Sequence, residues 1–235
     1  MMRILHLYHD LMNLYGEYGN VVVLKKHLED QGFEVEVDKK TLGEVINFKD
    51  YDFIYCGSGT ERNLLVALED LLKRKKELLE AINNNVVVLF TGNAMELFGE
   101  RIDKQKALGV IPMKVSLTND RYTGDVIMKN EEIGEVVGFI NKCSLQEYDN
   151  SFKLFDYCFK DINVQDNNYE GYKYMNLYGT HVIGPILVKN PNFMRKIVEL
   201  LGKKQDANFV YRNITYQYEE DSYNVTLNAL KNRNK

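Results

Sequence analysis

Four short apolar runs, MRILHLY (2–8), FEVEV (33–37), DFIYC (52–56) and VVVLF (86–90), fall within the first hundred residues, with helix-like segments at 21–30 and 62–83 between them. Runs this short and rich in β-branched residues read as buried strands. Strand–helix–strand repeats joined by short connections build a parallel sheet covered on both faces. In the first helical segment Val22, Val23 and Leu28 alternate with Lys25, Lys26, Glu29 and Asp30, and Gly32 ends it. In the second, Leu64, Leu68, Leu71, Leu72, Leu78, Leu79 and Ile82 recur at steps of three and four, which predicts one long amphipathic helix over 62–83.

From about 110 to 180 the texture changes. IPMKVSL, GDVIMK, EVVGFI, FKLFDYCF and YKYMNLY are short segments between polar turns, and they predict further, partly antiparallel strands. DNNYEGY (166–172) and the extreme C-terminus read as loop. NPNFMRKIVELLGKK (190–204) opens a helix at Asn190 with Pro191 in the first turn, and 219–233 is a last charged helix. No linker or repeat divides the chain. The expectation is one domain over 1–235, with a core over 1–205 and a partly helical extension over 206–235.

The formal net charge of −4 over 235 residues gives no broad attraction to nucleic acid or anionic lipid. Three cysteines, Cys56, Cys143 and Cys158, show no CxxC pairing, so neither a disulfide framework nor a structural zinc site is expected. No apolar run approaches the ~18–20 residues of a membrane span, and no signal segment is visible. These features predict a soluble cytoplasmic protein without cofactor or metal.

In an open parallel sheet ligands collect at the carboxyl ends of the strands. Three loops leave such ends here: HDLMNLYGEYGN after the first run, GSGTERN after the third, and TGNAMELFG after the fourth, which passes into a predicted helix. Gly57, Ser58 and Gly59 offer backbone N–H groups expected to be exposed, able to hold an oxyanion or a carboxylate. They fit equally a tight turn that needs glycine. The stretch lacks the GK[ST] ending of a P-loop. A strand–turn–helix corner is where many α/β enzymes mount a nucleophile, yet Thr91-Gly92-Asn93 carries neither cysteine nor serine.

Several segments, in order, resemble the class I glutamine amidotransferases of the cobyric acid synthase type, and most of all the amidotransferase subunit of lipid II isoglutaminyl synthase. HDLMNLYGEYGN is similar to that family's opening motif, and YCGSGTERN stands where the family has its oxyanion loop. NDRYTGDV (119–126), VVGFINK (136–142) and EGYKYMNLYGTHVIGPILVKNP (170–191) resemble its later motifs. The resemblance implies a flavodoxin-like three-layer α/β/α fold with a mainly parallel central sheet and extra strands in its second half. It also implies a Mur-ligase-like partner that receives ammonia, and glutamine or another small carboxylate as ligand.

In that family an elbow cysteine attacks the glutamine amide and a histidine on a later strand serves as base. Matching Leu97-Phe98-Gly99 puts the cysteine position at Gly92, and matching Gly179-Thr180 and Gly184-Pro185 puts the histidine position at Ile183. Neither residue is a nucleophile or a base. Three neighbours are candidate substitutes: His181, whose side chain in an extended segment faces the same way as that of Ile183; Thr91, adjacent to the corner; and Cys56, at the end of the third run. Each has a plain structural reading, as a core histidine, a strand-end residue and a small buried hydrophobe. Arg121 matches an arginine that holds the substrate carboxylate in the family, for which a forked guanidinium is suited. Asn93 joins the candidate binding residues, while Asn141-Lys142 and Glu96 depart from the family pattern. The readings left open are a glutaminase-silent scaffold or regulator, an active glutaminase with rearranged residues, and a small-molecule-binding module.

Overall fold

The computed structural model describes residues 1–163 and 167–233. Its first half runs β1 (Met2–Leu7), α1 (Gly19–Asp30), β2 (Val35–Lys40), β3 (Phe53–Cys56), α2 (Glu61–Lys73), α3 (Lys75–Asn83) and β4 (Val87–Thr91). A short hairpin follows, β5 (Arg101–Ile102) and β6 (Gln105–Lys106), then β7 (Lys114–Asn130), β8 (Gly134–Glu147), β9 (Lys153–Lys160), β10 (Tyr169–Tyr174), β11 (Leu177–Thr180) and β12 (Val182–Ile183). Three helices close the chain: α4 (Ile186–Lys189), α5 (Pro191–Gln205) and α6 (Gln217–Arg233).

The five strands β2-β1-β3-β4-β11 are mutually parallel, in the flavodoxin-like order. The sheet continues from β11 through β10, β9, β7, β8 and β12 with antiparallel pairings. Alternation along each parallel strand sorts side chains to the two faces. Leu5, Leu7, Ile54, Cys56, Val88 and Phe90 face α2 and α3. Ile4, Phe53, Tyr55, Val87 and Leu89 face α1 and α5. The three-layer mixed α/β architecture is therefore the one expected.

Several local expectations are corrected. The helix over 62–83 is two helices, broken at Arg74, whose φ of −112° and ψ of 7° leave the helical range. Arg74 pairs back to Asp70, and α3 sets off to lie beside the turn at 48–50, where Lys49 meets Glu80. The second strand begins at Val35 because Phe33 belongs to the turn out of α1, its N–H bonded to Leu28 O and its ring against Phe209. IPMKVSL and GDVIMK are parts of one strand, β7, which keeps pairing with β8 across an irregularity between Leu117 and Tyr122. In the segment 166–172 the predicted loop is a strand from Tyr169, because β10 is held between β9 and β11; Asp166 lies outside the described residues, as do the last two residues of the chain.

Helix α5 opens at Asn190 with Pro191 in its first turn, as expected, but the Asn190 side chain has another task. Its side chain makes no cap bond to α5. Instead Oδ1 accepts from Val137 N at 2.8 Å, and Nδ2 donates to Val137 O and Ile186 O, each at 2.9 Å. This one amide, fully buried, fastens the α4–α5 junction to β8. The segment after α5 folds back over the core: Arg212 and Gln31 exchange bonds, and Leu227 and Leu230 of α6 pack on Ile127 and Val137. Among the described residues no helix is long and apolar enough to cross a membrane.

Replacing Asn190 by Ala strands the N–H and C=O of Val137 in the interior. At ~1–3 kcal/mol for each buried group left without a partner, the Asn190→Ala variant is expected to lose about 3 kcal/mol of stability. Urea unfolding followed by circular dichroism checks this, with the midpoint falling and the slope unchanged.

Candidate functional site

The loops leaving β1, β3 and β4 converge with the β11–β12 connection at the carboxyl edge of the parallel strands. β4 ends at Thr91 in extended geometry, and Gly92 turns the chain with a φ of +59° into a 3-10 stretch over Gly92–Phe98 in place of the predicted α-helix. A side chain at that φ is disfavoured by ~1 kcal/mol or more, which glycine avoids. The positions singled out on either side of the corner do meet. A Cβ built on Gly92 would stand 2.4 Å from Cβ of Ser58, 2.5 Å from its Oγ, and 3.1 Å from Cγ2 of Ile183. Ser58 and Ile183, each 3 % exposed, fill the space in front of the elbow.

The loop after β3 is not an open cradle. Gly57, Ser58 and Gly59 are all buried, contrary to expectation. Asn93 closes over them: Gly59 N donates to Asn93 Oδ1 at 3.0 Å, Asn93 Nδ2 donates to Gly59 O at 2.8 Å, and Ser58 Oγ donates to Asn93 Oδ1 at 3.3 Å. The amide of Asn93 is thus a clamp between the two loops, and the Gly59 donor is spent on it. Gly57 is required for close approach, since a Cβ there would come within 2.8 Å of Glu17 Cβ and of Met12 O.

Beneath the corner lies a carboxylate not singled out as a site residue from the sequence. Glu17 is fully buried and joins three strands' worth of loops. Its Oε2 accepts from Tyr55 OH at 2.9 Å and from Thr91 Oγ1, and its Oε1 accepts from Gly184 N at 2.7 Å. Tyr55 OH in turn accepts from Asn20 Nδ2 at 2.9 Å, and Asn20 Oδ1 accepts from Leu187 N at 2.8 Å. Burial holds the Glu17 carboxyl above its ordinary value, against the opposing pull of the Thr91, Tyr55 and Gly184 donors and the Lys189 charge. Thr91 therefore points into this network and away from the cleft.

The other two candidate substitutes are equally engaged. Burial, with the Glu17 charge adding to it, pushes the Cys56 thiol up and out of the reactive range. His181 faces the elbow segment, as the extended reading predicts, but four residues beyond Gly92: its Nε2 lies 3.0 Å from Glu96 Oε1. Its Nδ1 is 3.4 Å from Glu170 Oε1, which also accepts from the His181 backbone N–H at 2.7 Å. Burial alone would lower the imidazole; the bonds to Glu170 and Glu96 outweigh it and raise it, favouring the cation. Both ring nitrogens of His181 are engaged by buried Glu side chains, so neither faces the elbow free to act as a base.

Glu96 anchors a wider buried polar cluster. Its Oε1 also accepts from Ser144 Oγ and from Gln146 Nε2, the latter at 3.2 Å, and Lys142 Nζ donates to Gln146 Oε1 at 2.8 Å. Lys142, Ser144 and Gln146 alternate along β8, so their spacing of two was a readable sign of one inward polar face. Arg121 is half-exposed at the rim, its Nη1 donating to Asn141 Oδ1 at 2.6 Å and its Nη2 3.6 Å from Glu61. Between Arg121, Asn141, Lys142 and the Ser58–Asn93 clamp the cleft has a volume of only ≈ 20 Å³. That admits about one water. Among the described residues no group of three or more His, Cys, Asp or Glu side chains is placed to share a metal ion.

Against known families, residues 3–191 match the model of the CobB/CobQ-like glutamine amidotransferase domain. Two similar proteins are described as the GatD subunit of glutamine-hydrolysing lipid II isoglutaminyl synthase. The one from Staphylococcus aureus is 26 % identical over 239 residues, spanning 100 % of this chain and 98 % of that protein. The one from Streptococcus pneumoniae is 30 % identical over 212 residues, spanning 87 % and 82 %. Among solved structures, one described as PurLQS from Thermotoga maritima aligns with a TM-score of 0.57 at 12 % identity, over 84 % of this chain and 97 % of that one. A structure described as a glutamine amidotransferase gives 0.54 at 14 %, over 84 % and 98 %. At such identities the structures speak for the fold alone.

The raised Glu17 carboxyl has a signed consequence. A carboxyl whose folded pKa lies above its unfolded value, near 4.5, contributes stability below that value and loses it as pH rises through the folded pKa. Glu17→Gln cannot ionise. The native chain is therefore expected to lose stability relative to Glu17→Gln as pH rises from about 4.5. Urea unfolding of both proteins between pH 4 and pH 8, on the order of the window set by a buried carboxyl, reads the effect in the slope of their difference.

Proposed function

Because the chain belongs to the CobB/CobQ-like glutamine amidotransferase domain family, we propose that it is a member without glutaminase turnover, serving as a scaffold or regulatory subunit for a Mur-ligase-like partner in cell-wall or related amidation. The partner in this reading takes ammonia from solution. The chain contributes its fold and a docking surface. The relatives described as subunits of lipid II isoglutaminyl synthase are what suggest that setting.

One observation carries the reading. The volume a nucleophile's side chain would need at Gly92 is occupied, with Ser58 within 2.4 Å and Ile183 within 3.1 Å of a Cβ there. The corner has lost the reacting groups and also the room for them. Glycine cannot form a thioester, and isoleucine cannot take a proton. The engaged states of His181, Thr91 and Cys56 weigh against a rearranged glutaminase, since each would have to break buried bonds or ionise in an apolar setting.

The purified chain, alone or with its partner, is expected to release no ammonia from glutamine above background in a coupled glutamate dehydrogenase assay. Turnover in the native chain that disappears in His181→Ala would replace this reading with the rearranged enzyme. Gly92→Cys alone is expected to stay silent and to lose about 1–3 kcal/mol through overpacking against Ser58. The triple variant Ser58→Gly/Gly92→Cys/Ile183→His, which supplies both the groups and the space, is expected to regain measurable release.

A further inference from the structure

A second concavity, of about 290 Å³, lies between the α1 helix and the β1–β2 edge of the sheet, on the other side of the 10–18 loop from the elbow. Its sheet wall follows from register: His6 pairs with Lys39, and Ile4 with Val37, so His6, Lys39 and Val37 share the face that α1 covers. His9 and Lys25 complete a rim of basic groups, Lys25 lying also 3.6 Å from Glu29 one turn along α1. None of the lining residues is acidic. Val21, Val22, Val37 and Tyr18 supply an apolar wall, with Val22 57 % and Tyr18 55 % exposed.

The floor holds the feature that ordinary packing does not explain. His6 is 2 % exposed, and its Nε2 is buried without a hydrogen-bond partner. A ring nitrogen left unpaired in the interior is costly, about 1–3 kcal/mol, and such groups are uncommon. The ring lies against Tyr55 and His9, at centroid distances of 5.5 and 6.1 Å. Burial, together with the His9 and Lys39 charges, lowers its pKa to about 4. His6 is thus neutral at neutral pH, a polar ring in the floor beneath a rim of cations.

We propose that this pocket binds a small organic anion: a carboxylate or phosphate group held among His6, His9, Lys25 and Lys39, with a compact apolar body laid on Val21, Val22, Val37 and Tyr18. The volume suits a ligand of one ring or a short branched chain, at the lower end of small-molecule sites. The inference is independent of the state of the elbow. It gives the chain a ligand site whether or not glutamine is ever hydrolysed.

The test titrates the full chain with benzoate, phenyl phosphate, inorganic phosphate and neutral benzyl alcohol, by heteronuclear NMR and calorimetry. Benzoate or phenyl phosphate, whichever head group the rim prefers, is expected to bind and to shift the amide signals of residues 6, 9, 22, 25 and 39. Lys25→Gln/Lys39→Gln, altered only at the surface, is expected to weaken binding about 10-fold or more through lost charge-assisted bonds. His6→Phe, if it folds, is expected to weaken it as well. Three results would each overturn the proposal: no binding of either aromatic anion at millimolar concentration, binding unchanged in the double lysine variant, or benzyl alcohol binding as tightly as benzoate. Inorganic phosphate binding as tightly as phenyl phosphate would remove the apolar half of the proposed ligand.

Discussion

The carboxylate of Glu17 is the point on which the site's geometry depends. It stands in the loop after β1, yet its bonds reach β3 through Tyr55, β4 through Thr91, and the chain just beyond β12 through Gly184. Four segments distant in sequence are thereby fixed at the carboxyl edge of the sheet, where an open α/β fold presents its site. Taking a carboxyl out of water is costly unless donors replace the lost hydration. Three donors do so here, which makes the network hard to dismantle piecemeal: removing any one leaves a buried acceptor short. The corner holds its shape through contacts that need no chemistry to occur in front of it.

That separation between frame and chemistry is central to the proposed function. The turn after β4 is a glycine at positive φ, and the residues before it are in register with β3 and β11 up to Phe90 and Thr91. In front of it Ser58 and Ile183 occupy the space, and Asn93 staples the elbow to the loop after β3. Filling a small void with well-packed atoms recovers dispersion energy that an empty polar pocket forgoes. The same atoms exclude a substrate. On this reading, stability and silence come from the same three side chains.

The parallel half of the fold was legible because its strands are short, buried on both faces and separated by amphipathic helices whose stripes run at helical spacing. Periodicity could not report the break at Arg74, since the apolar stripe continues through it and only backbone dihedrals reveal the turn. Nor could it join the pieces of β7, because the polar residues between Leu117 and Tyr122 resemble a turn until β8 is seen to pair across them. At the site, the family resemblance pointed to Gly92 and Ile183, and the two do approach each other. The accessibility of the Gly57–Gly59 loop was misjudged for a definite reason: a glycine-rich sequence states what backbone shapes are open, and says nothing of the asparagine 34 positions away that claims the donor. Glu17 and the inward face of β8 went unremarked as site residues because an acidic or polar side chain in a loop or a mixed strand is ordinarily solvated.

The polar cluster around Glu96 differs from the elbow in what it would take to lose it. A nucleophile and a base facing a water-filled cleft can be replaced one at a time, since each is an individual group whose removal leaves space for an apolar neighbour. Glu96, His181 and Glu170 are buried together, 1–4 % exposed, with the imidazole engaged on both sides. Deleting any single member leaves buried hydrogen-bonding atoms of the others without a partner, which is more costly than never having buried them. Its members are therefore coupled: replacing one alters the bonding of the others. Its presence near Gly92 is therefore accounted for by packing alone. The cluster is a structural commitment of its own, whose cost and benefit are settled by its internal bonds and not by what happens at the elbow.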